Sequence, residues 1–383
     1  MALDELRLEF SDEQAMLAES AREFLRDKCT TEQVREWMGL STGYHTALWQ
    51  EMAQLGWMGI ALPEEHGGSG LSAGALVTVV ETMGRYLLAS PFLATTMAAQ
   101  LLDQAGNNSQ REQWLPAIAA GECIATVALA PADGAWLPEH TGVTATRKGK
   151  GWRLEGRKSG VLELAFADLV LVSADTDKGP AVFALSREDI PYTAIEREYL
   201  VDETRRSYRM DCDGIRLGND ALLAGGDSAA AIRDTHALGW LLVGAELTGV
   251  ADGVFSLMLE YLKTRTQFGK TIGSYQALKH PTVDIMGQIE NSRGLMQQAA
   301  TVFDGANGES EVAARMLKAY AGDTAAFATD RAVQFHGAFG FTWECDVQLY
   351  FRRATWARHV FGDALHHRAR LAELLLGEHN GES

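Results

Sequence analysis

The sequence is poor in proline, in cysteine and in positive charge. Its 383 residues include 8 prolines, 4 cysteines, and 34 lysines and arginines against 51 aspartates and glutamates, for a formal net charge of -17. A surface of this sign repels a phosphate backbone, which argues against a nucleic-acid partner. The cysteines show no metal-ligand or disulfide spacing, so we expect reduced thiols in a cytoplasmic protein. They are Cys29, Cys123, Cys212 and Cys345.

Long apolar runs are absent as well. No uninterrupted apolar stretch reaches the ~18 residues that a membrane span requires. The first residues, "MALDELRLEF", lack the basic-then-apolar layout of a signal peptide. We therefore expect a soluble protein with no membrane partner. The length and the hydrophobic content of 46% allow a large core and indicate two or three domains.

Three segments of different periodicity follow one another along the chain. Residues 1–118 carry helical patterns, and residues 119–228 carry short apolar or alternating runs separated by Gly, Asp and Pro. The predicted strands are "IATVALA", "GWRLEGRKS", "DLVLVSA", "PAVFALS" and "YRMDCDGIRL". Residues 229–383 are helical again and rich in alanine, as in a closely packed bundle. The predicted fold class is α+β, with an N-terminal helical domain, a middle antiparallel β-barrel or sandwich and a C-terminal four-helix bundle.

The most informative stretch is "RTQFGKTIGSYQALKH", residues 265–280. Arg265 ends a long predicted helix, and Gly269 and Gly273 permit a turn that brings backbone close to a ligand. The planar fork of an arginine suits pyrophosphate oxygens, and Phe268 offers a flat apolar face. An arginine that satisfies helix carbonyls beside a core phenylalanine is an equally good interpretation of this stretch alone.

A second glycine-rich stretch, "QFHGAFGFTWECDVQLYFRRA", places Gly337 and Gly340 among aromatic residues. Together with "LGWMGIALPEEHGGSGLS", these segments resemble the motifs of the acyl-CoA dehydrogenase family, in the family's order and over essentially the whole chain. The resemblance implies an acyl-CoA-oxidising flavoenzyme in which FAD lies across a subunit interface of a tetramer. It implies that this chain contacts the pyrophosphate and adenine half of an FAD held mainly by a neighbour. The residues given these roles are Arg265, Gln267, Phe268, Gln276, Gln334, Phe335 and Gly337, with His336 as a further candidate.

The resemblance also implies a carboxylate that removes the α-proton of the acyl thioester, while flavin N5 takes the β-hydride. Counting without gaps from the second motif places the usual base at Phe361. Counting back from the first places the alternative base at Gly239 and its arginine neighbour at Trp240. Loss of a carboxylate together with its charge partner avoids a stranded buried charge. Asp363, the only acid near Phe361, is expected to touch the adenine end or to cap the following helix.

The residues expected to grip a subunit's own flavin ring differ from the family pattern too. The loop "LAPADGAWLPEH" keeps only the proline, Pro131, of the family's Thr-Glu-Pro-Gly-Ala-Gly-Ser-Asp type loop. The strand "RKSGVLEL" has Gly160 and Leu162 where the family has Trp and Thr. Glu246 lies seven residues after the alternative base position, about 10 Å further along the helix. It is either a displaced base or a satisfied polar residue between helices.

Three functions stay open at this point. The first is a degenerate subunit that completes the FAD site of a homologous, catalytically complete acyl-CoA dehydrogenase subunit in an α2β2 heterotetramer. It would act on a bulky acyl-CoA such as a steroid side chain, with an electron-transfer flavoprotein as acceptor, and "FGDALHHR" is similar to such subunits. The second is a self-sufficient homotetramer that uses Glu246 as the base. The third is a flavin-free structural subunit. The histidines of "FGDALHHR", His366 and His367, are expected on a solvated helix face.

Overall fold

Our computed structural model describes residues 12–303 and 308–377, and helices dominate both ends of this part of the chain. Each predicted helical region contains helices. Their bounds are α1 Asp12–Lys28, α2 Thr31–Met38, α3 Thr46–Gln54, α4 Leu76–Arg85, α5 Phe92–Ala105, α6 Asn108–Ala119, α7 Ser228–Thr264, α8 Gln276–Val302, α9 Gly308–His336, α10 Val347–Ala357 and α11 Ala364–Leu376.

The middle of the chain forms an eight-stranded sheet. Its strands are β1 Ala125–Ala128, β2 Val143–Lys148, β3 Gly151–Leu162, β4 Leu169–Thr176, β5 Gly179–Ser186, β6 Ile195–Glu198, β7 Ser207–Asp211 and β8 Arg216–Gly218. The order is β1-β4-β2-β3-β7-β6, with β5 paired to β4 and β8 paired to β3. Every predicted strand segment contains a strand, whereas β2 and β6 were not predicted.

The sheet is mixed, which corrects one detail of the predicted antiparallel barrel or sandwich. Strand β1 pairs with β4 in parallel, and β2 meets β4 in parallel through a single residue pair. The chain between β1 and β4 contains the β2–β3 hairpin, which provides the crossover that a parallel pair requires. All four residues of β1 are buried, as is typical of parallel strands and not of half-exposed antiparallel ones.

Contacts divide the chain into two compact units. The first contains Met1–Arg35, Gly74–Leu88 and Trp240–Ser383, and the second contains Glu36–Ala73 and Ala89–Gly239. The predicted division at residues 118 and 228 stays a prediction. The core of the sheet lies within the second unit, where Trp152 and Phe183 meet edge to face with ring centroids 5.4 Å apart.

Within the first unit, α9 packs against α8, α10 and α11, and α4 packs against α7. Glycines on both helices bring the backbones of α4 and α7 into contact. A Cβ at Gly84 would lie 2.1 Å from the carbonyl oxygen of Glu246, and one at Gly249 would lie 1.8 Å from that of Glu81. Four apolar residues of α7 at spacings of three and four are fully buried: Leu247, Val250, Val254 and Met258.

Helix α7 also has the length and apolarity of a membrane span, with a mean hydropathy of 1.5 in its most apolar window. Because 78% of that window is buried inside the protein, the helix behaves as a core helix. Its sequence contains no uninterrupted apolar run of that length because Gly and Glu residues interrupt it.

Candidate functional site

The first predicted motif forms a tight hairpin directly after α7. Strands β9 Thr266–Gln267 and β10 Lys270–Thr271 pair antiparallel, and Phe268 and Gly269 form the turn. Both turn residues have positive φ, 53° and 79°, as in the two-residue hairpin turns that favour Asn-Gly. Gly269 adopts this conformation without strain, but Phe268 does not. Phe268 is also 91% exposed, and strain at an exposed aromatic residue is typical of functional sites.

The hairpin and the end of α9 line an open cavity of about 810 Å³ within the first unit. The second motif supplies the opposite wall, so residues far apart in sequence meet here. The predicted residues that line the cavity are Arg265, Gln267, Phe268, Gln334, Phe335, His336 and Gly337. Gln276 does not line it; the two residues that follow it at the start of α8, Ala277 and Leu278, line it instead.

The lining of this cavity combines hydrogen-bond donors with flat apolar surfaces. The Arg265 guanidinium and the amides of Gln267 and Gln334 offer donors for phosphate oxygens, and Tyr261 and Tyr275 add aromatic rings that the motif alone did not identify. At Gly337, φ is 64° and a Cβ would meet no atom within 4 Å, so bare backbone faces open space. The residues present fit the adenosine diphosphate half of a dinucleotide.

The ring of His336 is fixed in this wall. Its Nδ1 lies 2.7 Å from the carbonyl oxygen of Ala332, and the ring stacks on Tyr261 with centroids 4.1 Å apart and an interplanar angle of 22°. Burial lowers the pKa of His336 below its ordinary value, although its bond to Ala332 acts in the opposite direction. His336 therefore faces the cavity as a neutral imidazole near pH 7.

Both positions expected for a catalytic base hold residues that cannot act as one. Phe361 is buried with a φ of 57°, and Gly239 has no side chain. Trp240, at the position of the neighbouring arginine, is buried beneath the guanidinium of Arg315, which lies 3.7 Å from the indole centroid. This distance indicates a desolvated cation–π contact.

His367 packs against Trp240 and Arg315, and its position corrects a prediction. It was expected on a solvated face, but it is fully buried, packs edge to face on Trp240 and accepts a hydrogen bond of 3.3 Å at Nδ1 from Arg315. Burial, and then the nearby charges of Lys318 and Arg315, lower the pKa of His367 far below its ordinary value. The ring is therefore a neutral part of the core between α7, α9 and α11.

Glu246, the alternative base, and Asp363, the acid near Phe361, both have partners. Glu246 is buried and pairs at 2.6 Å with Arg353, which is buried as well. Asp363 is the N-cap of α11 and accepts a 2.8 Å hydrogen bond from the backbone N–H of His366, which lowers the pKa of Asp363. The predicted cap is thus confirmed, whereas the assignment of Glu246 as a base stays a prediction.

In the second unit, strand β3 is irregular where ring-gripping residues were expected. The pairing register with β7 shifts between Lys158 and Val161. The N–H of Gly160 donates to Glu198 Oε2 at 3.1 Å, and a Cβ there would lie 3.4 Å from the Trp136 ring. Leu162 is buried. Gly160 and Leu162 carry neither the aromatic ring nor the hydroxyl of the family pattern at these two positions, so these residues do not fit the isoalloxazine end.

Comparison with known proteins identifies the family models that match this chain and several similar proteins. The family model described as "Acyl-CoA dehydrogenase, N-terminal domain" matches residues 11–122, and "Acyl-CoA dehydrogenase, C-terminal domain" matches residues 230–376. Acyl-CoA dehydrogenase FadE12 of Mycobacterium tuberculosis is 31% identical over 332 residues, which cover 82% of this chain and 84% of that protein. Acyl-CoA dehydrogenase IpdE2 of Mycolicibacterium smegmatis is 30% identical, over 92% of this chain and 95% of that one.

Two similar solved structures are named as two-component assemblies. A variant of the Tcur3481–Tcur3483 steroid acyl-CoA dehydrogenase matches with a TM-score of 0.85 and 30% identity, over 96% of this chain and 98% of that chain. The ChsE4–ChsE5 complex from Mycobacterium tuberculosis matches with a TM-score of 0.86 and 26% identity, over 96% and 99% of the two chains.

Proposed function

The chain belongs to the acyl-CoA dehydrogenase family of FAD-dependent oxidoreductases, and we propose that it is the non-catalytic subunit of an α2β2 heterotetramer. In this assembly it completes the FAD site of a homologous catalytic subunit. The complex desaturates an acyl-CoA thioester between its α and β carbons. FAD supplies the hydride acceptor, and this chain holds the adenosine diphosphate end of the cofactor.

One contrast supports this proposal. The cavity formed by Arg265, Gln334 and Gly337 carries the donors and the bare backbone that a pyrophosphate needs. The two base positions instead hold the buried Phe361 and Gly239, which has no side chain, and the position of the neighbouring arginine holds Trp240, packed against Arg315. A chain under selection to catalyse the reaction would need a carboxylate within reach of the α-proton. A chain that contributes only to a partner's cofactor site would not.

The finer parts of the proposal concern substrate, acceptor and location. The two solved assemblies that resemble this chain are named as pairs of chains, and one of them is named a steroid enzyme. We infer a bulky acyl-CoA substrate, such as a steroid side-chain thioester, a cytoplasmic location and an electron-transfer flavoprotein as acceptor.

The experiment is visible absorbance in the flavin bands, measured for the chain expressed alone and co-expressed with a homologue encoded beside it. We expect flavin absorbance only in the complex, at about one FAD per pair of chains. Arg265→Gln in the complex should release flavin while the assembly elutes unchanged in gel filtration, and Arg216→Gln, an exposed arginine of the second unit, should retain it.

The opposite result has a clear meaning. One FAD per chain in the protein alone, bleached by an acyl-CoA, would contradict the proposal and favour a self-sufficient homotetramer with Glu246 as the base. A complex that stays colourless would favour a flavin-free structural subunit.

A further inference from the structure

The protonation of His336 can be assigned from its neighbours. The Ala332 carbonyl, 2.7 Å from Nδ1, can only accept a hydrogen bond, so Nδ1 carries the proton. Stacking on Tyr261 fixes the plane of the ring. In this neutral tautomer the other nitrogen, Nε2, bears a lone pair and can only accept.

Nε2 has no hydrogen-bond partner within residues 12–303 and 308–377. His336 lines the same cavity as Arg265 and Gln334, although its side chain is largely buried. A fixed acceptor in the wall of a cavity discriminates strongly between ligands, because a ligand without the matching donor leaves the acceptor desolvated and unpaired.

We propose that His336 is a specificity-determining residue for the adenosine end of the bound dinucleotide, with Nε2 accepting a hydrogen bond from adenosine. The donor is the 6-amino group of the base or a ribose hydroxyl. Because Nε2 cannot donate in this tautomer, His336 does not bind the pyrophosphate, and that role falls to the cation Arg265. The inference rests on the proposed function, since it takes the ligand of the cavity to be the adenosine diphosphate half of FAD.

The test is isothermal titration calorimetry of the full chain with ADP, inorganic pyrophosphate, inosine diphosphate, and 2′-deoxy- and 3′-deoxy-ADP. Inosine diphosphate lacks the amino donor, and each deoxy compound lacks one ribose donor. His336→Phe keeps a flat ring on Tyr261 and removes the acceptor, whereas His336→Gln keeps an acceptor at nearly the position of Nε2. Arg265→Gln removes the cation.

We expect His336→Phe to weaken ADP binding about five- to tenfold, the effect of one hydrogen bond, and to leave pyrophosphate binding within about twofold. His336→Gln should stay within about threefold of the natural chain for ADP. The analogue that lacks the matching donor should bind the natural chain more weakly than ADP and lose nothing further in His336→Phe. Arg265→Gln should weaken ADP and pyrophosphate alike.

Several results would overturn the inference. Equal affinity of the natural chain for ADP and all three analogues would do so, in a measurement that needs no variant to fold. Binding of ADP by His336→Phe as tight as by the natural chain would also do so. Equal losses of pyrophosphate and ADP affinity in His336→Phe would place His336 at the phosphates instead. In each case, a loss of ADP affinity in Arg265→Gln would still support the proposed function. No ADP binding by the natural chain up to ~5 mM would contradict the adenosine-binding role itself.

Discussion

At the scale of single residues, Phe268 combines backbone strain with almost complete exposure. The left-handed region costs an ordinary residue about 1–2 kcal/mol, and Asn tolerates it better. Phe268→Asn should therefore raise the free energy of unfolding by about 0.5–1 kcal/mol, because little apolar contact is lost. The same change should weaken ADP binding by the chain, because the flat face beside the pyrophosphate donors disappears.

Chemical denaturation and calorimetry measure these two effects. The matched control is Tyr192→Asn, an exposed aromatic residue of the second unit, which should leave ADP affinity unchanged. If Phe268→Asn leaves both stability and ADP affinity unchanged, the turn strain has no functional counterpart.

The Glu246–Arg353 pair is the second residue-scale feature, because both side chains are almost completely buried. Removing one partner of such a pair leaves an uncompensated charge and typically costs about 3–5 kcal/mol. Glu246→Gln should lower the free energy of unfolding by at least about 2 kcal/mol. This lower bound lies below the usual range because the amide oxygen of Gln still accepts a hydrogen bond from Arg353. Urea denaturation measures the loss. Glu373→Gln, in the exposed Arg370–Glu373 pair, should stay within about 0.5 kcal/mol.

Activity separates the structural role of Glu246 from a catalytic one. In the co-expressed complex, Glu246→Gln should leave turnover by folded protein within about threefold. A loss of turnover by a factor of about a hundred or more with FAD retained would show that Glu246 acts as a base.

Sequence motifs predicted most of the cavity because each motif carries a local constraint, a glycine at a turn or an arginine at a helix end. His367 was misjudged for a different reason, and Gln276, which does not line the cavity, stays a prediction as a cofactor-binding residue. Which side of a helix a residue occupies depends on packing against other elements, here α11 against α9. Two adjacent histidines in a polar segment contain no local signal that one of them is wholly buried.

At the scale of elements, Lys318 connects α9 to the loop between α10 and α11. Its buried Nζ donates to the carbonyl oxygens of Arg358 and Gly362, at 3.1 and 2.9 Å. Burial lowers the pKa of Lys318 to about 7, whereas an unfolded lysine titrates near about 10.4. Between these two pH values the unfolded chain binds a proton that the folded chain does not, so folding stability contributed by this group rises with pH.

Lys318→Met removes this contribution. The unfolding free energy of the natural chain minus that of the variant should therefore increase from pH 7 to pH 10, by up to about 1.4 kcal/mol per pH unit. Lys158, whose pKa burial also lowers to about 7, is present in both proteins and cancels in the difference. Urea denaturation across this range measures the slope, and a difference that does not vary with pH would contradict the assignment.

The contact of α4 with α7 gives a sharper element-scale prediction. Gly249→Ala would place a methyl group 1.8 Å from the Glu81 carbonyl oxygen, so one helix must shift. We expect a loss of about 3 kcal/mol in the free energy of unfolding. Gly287→Ala is the control, since its Cβ would meet nothing within 4 Å in α8, and it should stabilise by up to about 1 kcal/mol. Equal effects of the two substitutions would show that the backbone contact is absent in solution.

Strands β2 and β6 illustrate what the sequence did not reveal at this scale. The run "VTATRK" consists largely of charged or small residues, and "IERE" is only four residues long. In neither run do apolar and polar residues alternate strongly enough to identify a strand. Their pairing with longer neighbours, β3 and β7, fixes them as strands. The strands with continuous apolar runs, β4 and β5, were predicted correctly because burial on both faces leaves a clear signal.

At the scale of the whole molecule, the chain has residues that suit one end of FAD and lacks the family's residues for the other end. The hairpin and the end of α9 keep what an adenosine diphosphate needs, while β3 of the second unit has Gly160 and Leu162 in place of groups for a flavin ring. The chain should therefore recognise FAD through its adenosine end alone. A ligand that binds the folded state at a hundred times its dissociation constant stabilises that state by about 2.7 kcal/mol.

This division predicts which cofactor fragments stabilise the chain. The thermal unfolding midpoint of the isolated chain should rise with ADP, rise similarly with FAD, and stay unchanged with FMN, because FMN carries the ring without the adenosine. Arg265→Gln should abolish the response to ADP and FAD. In the co-expressed complex, FAD should be retained through gel filtration and FMN should be lost. A rise with FMN equal to that with FAD would mean that this chain binds the isoalloxazine ring, and the ring site would then have to lie on residues other than those of β3.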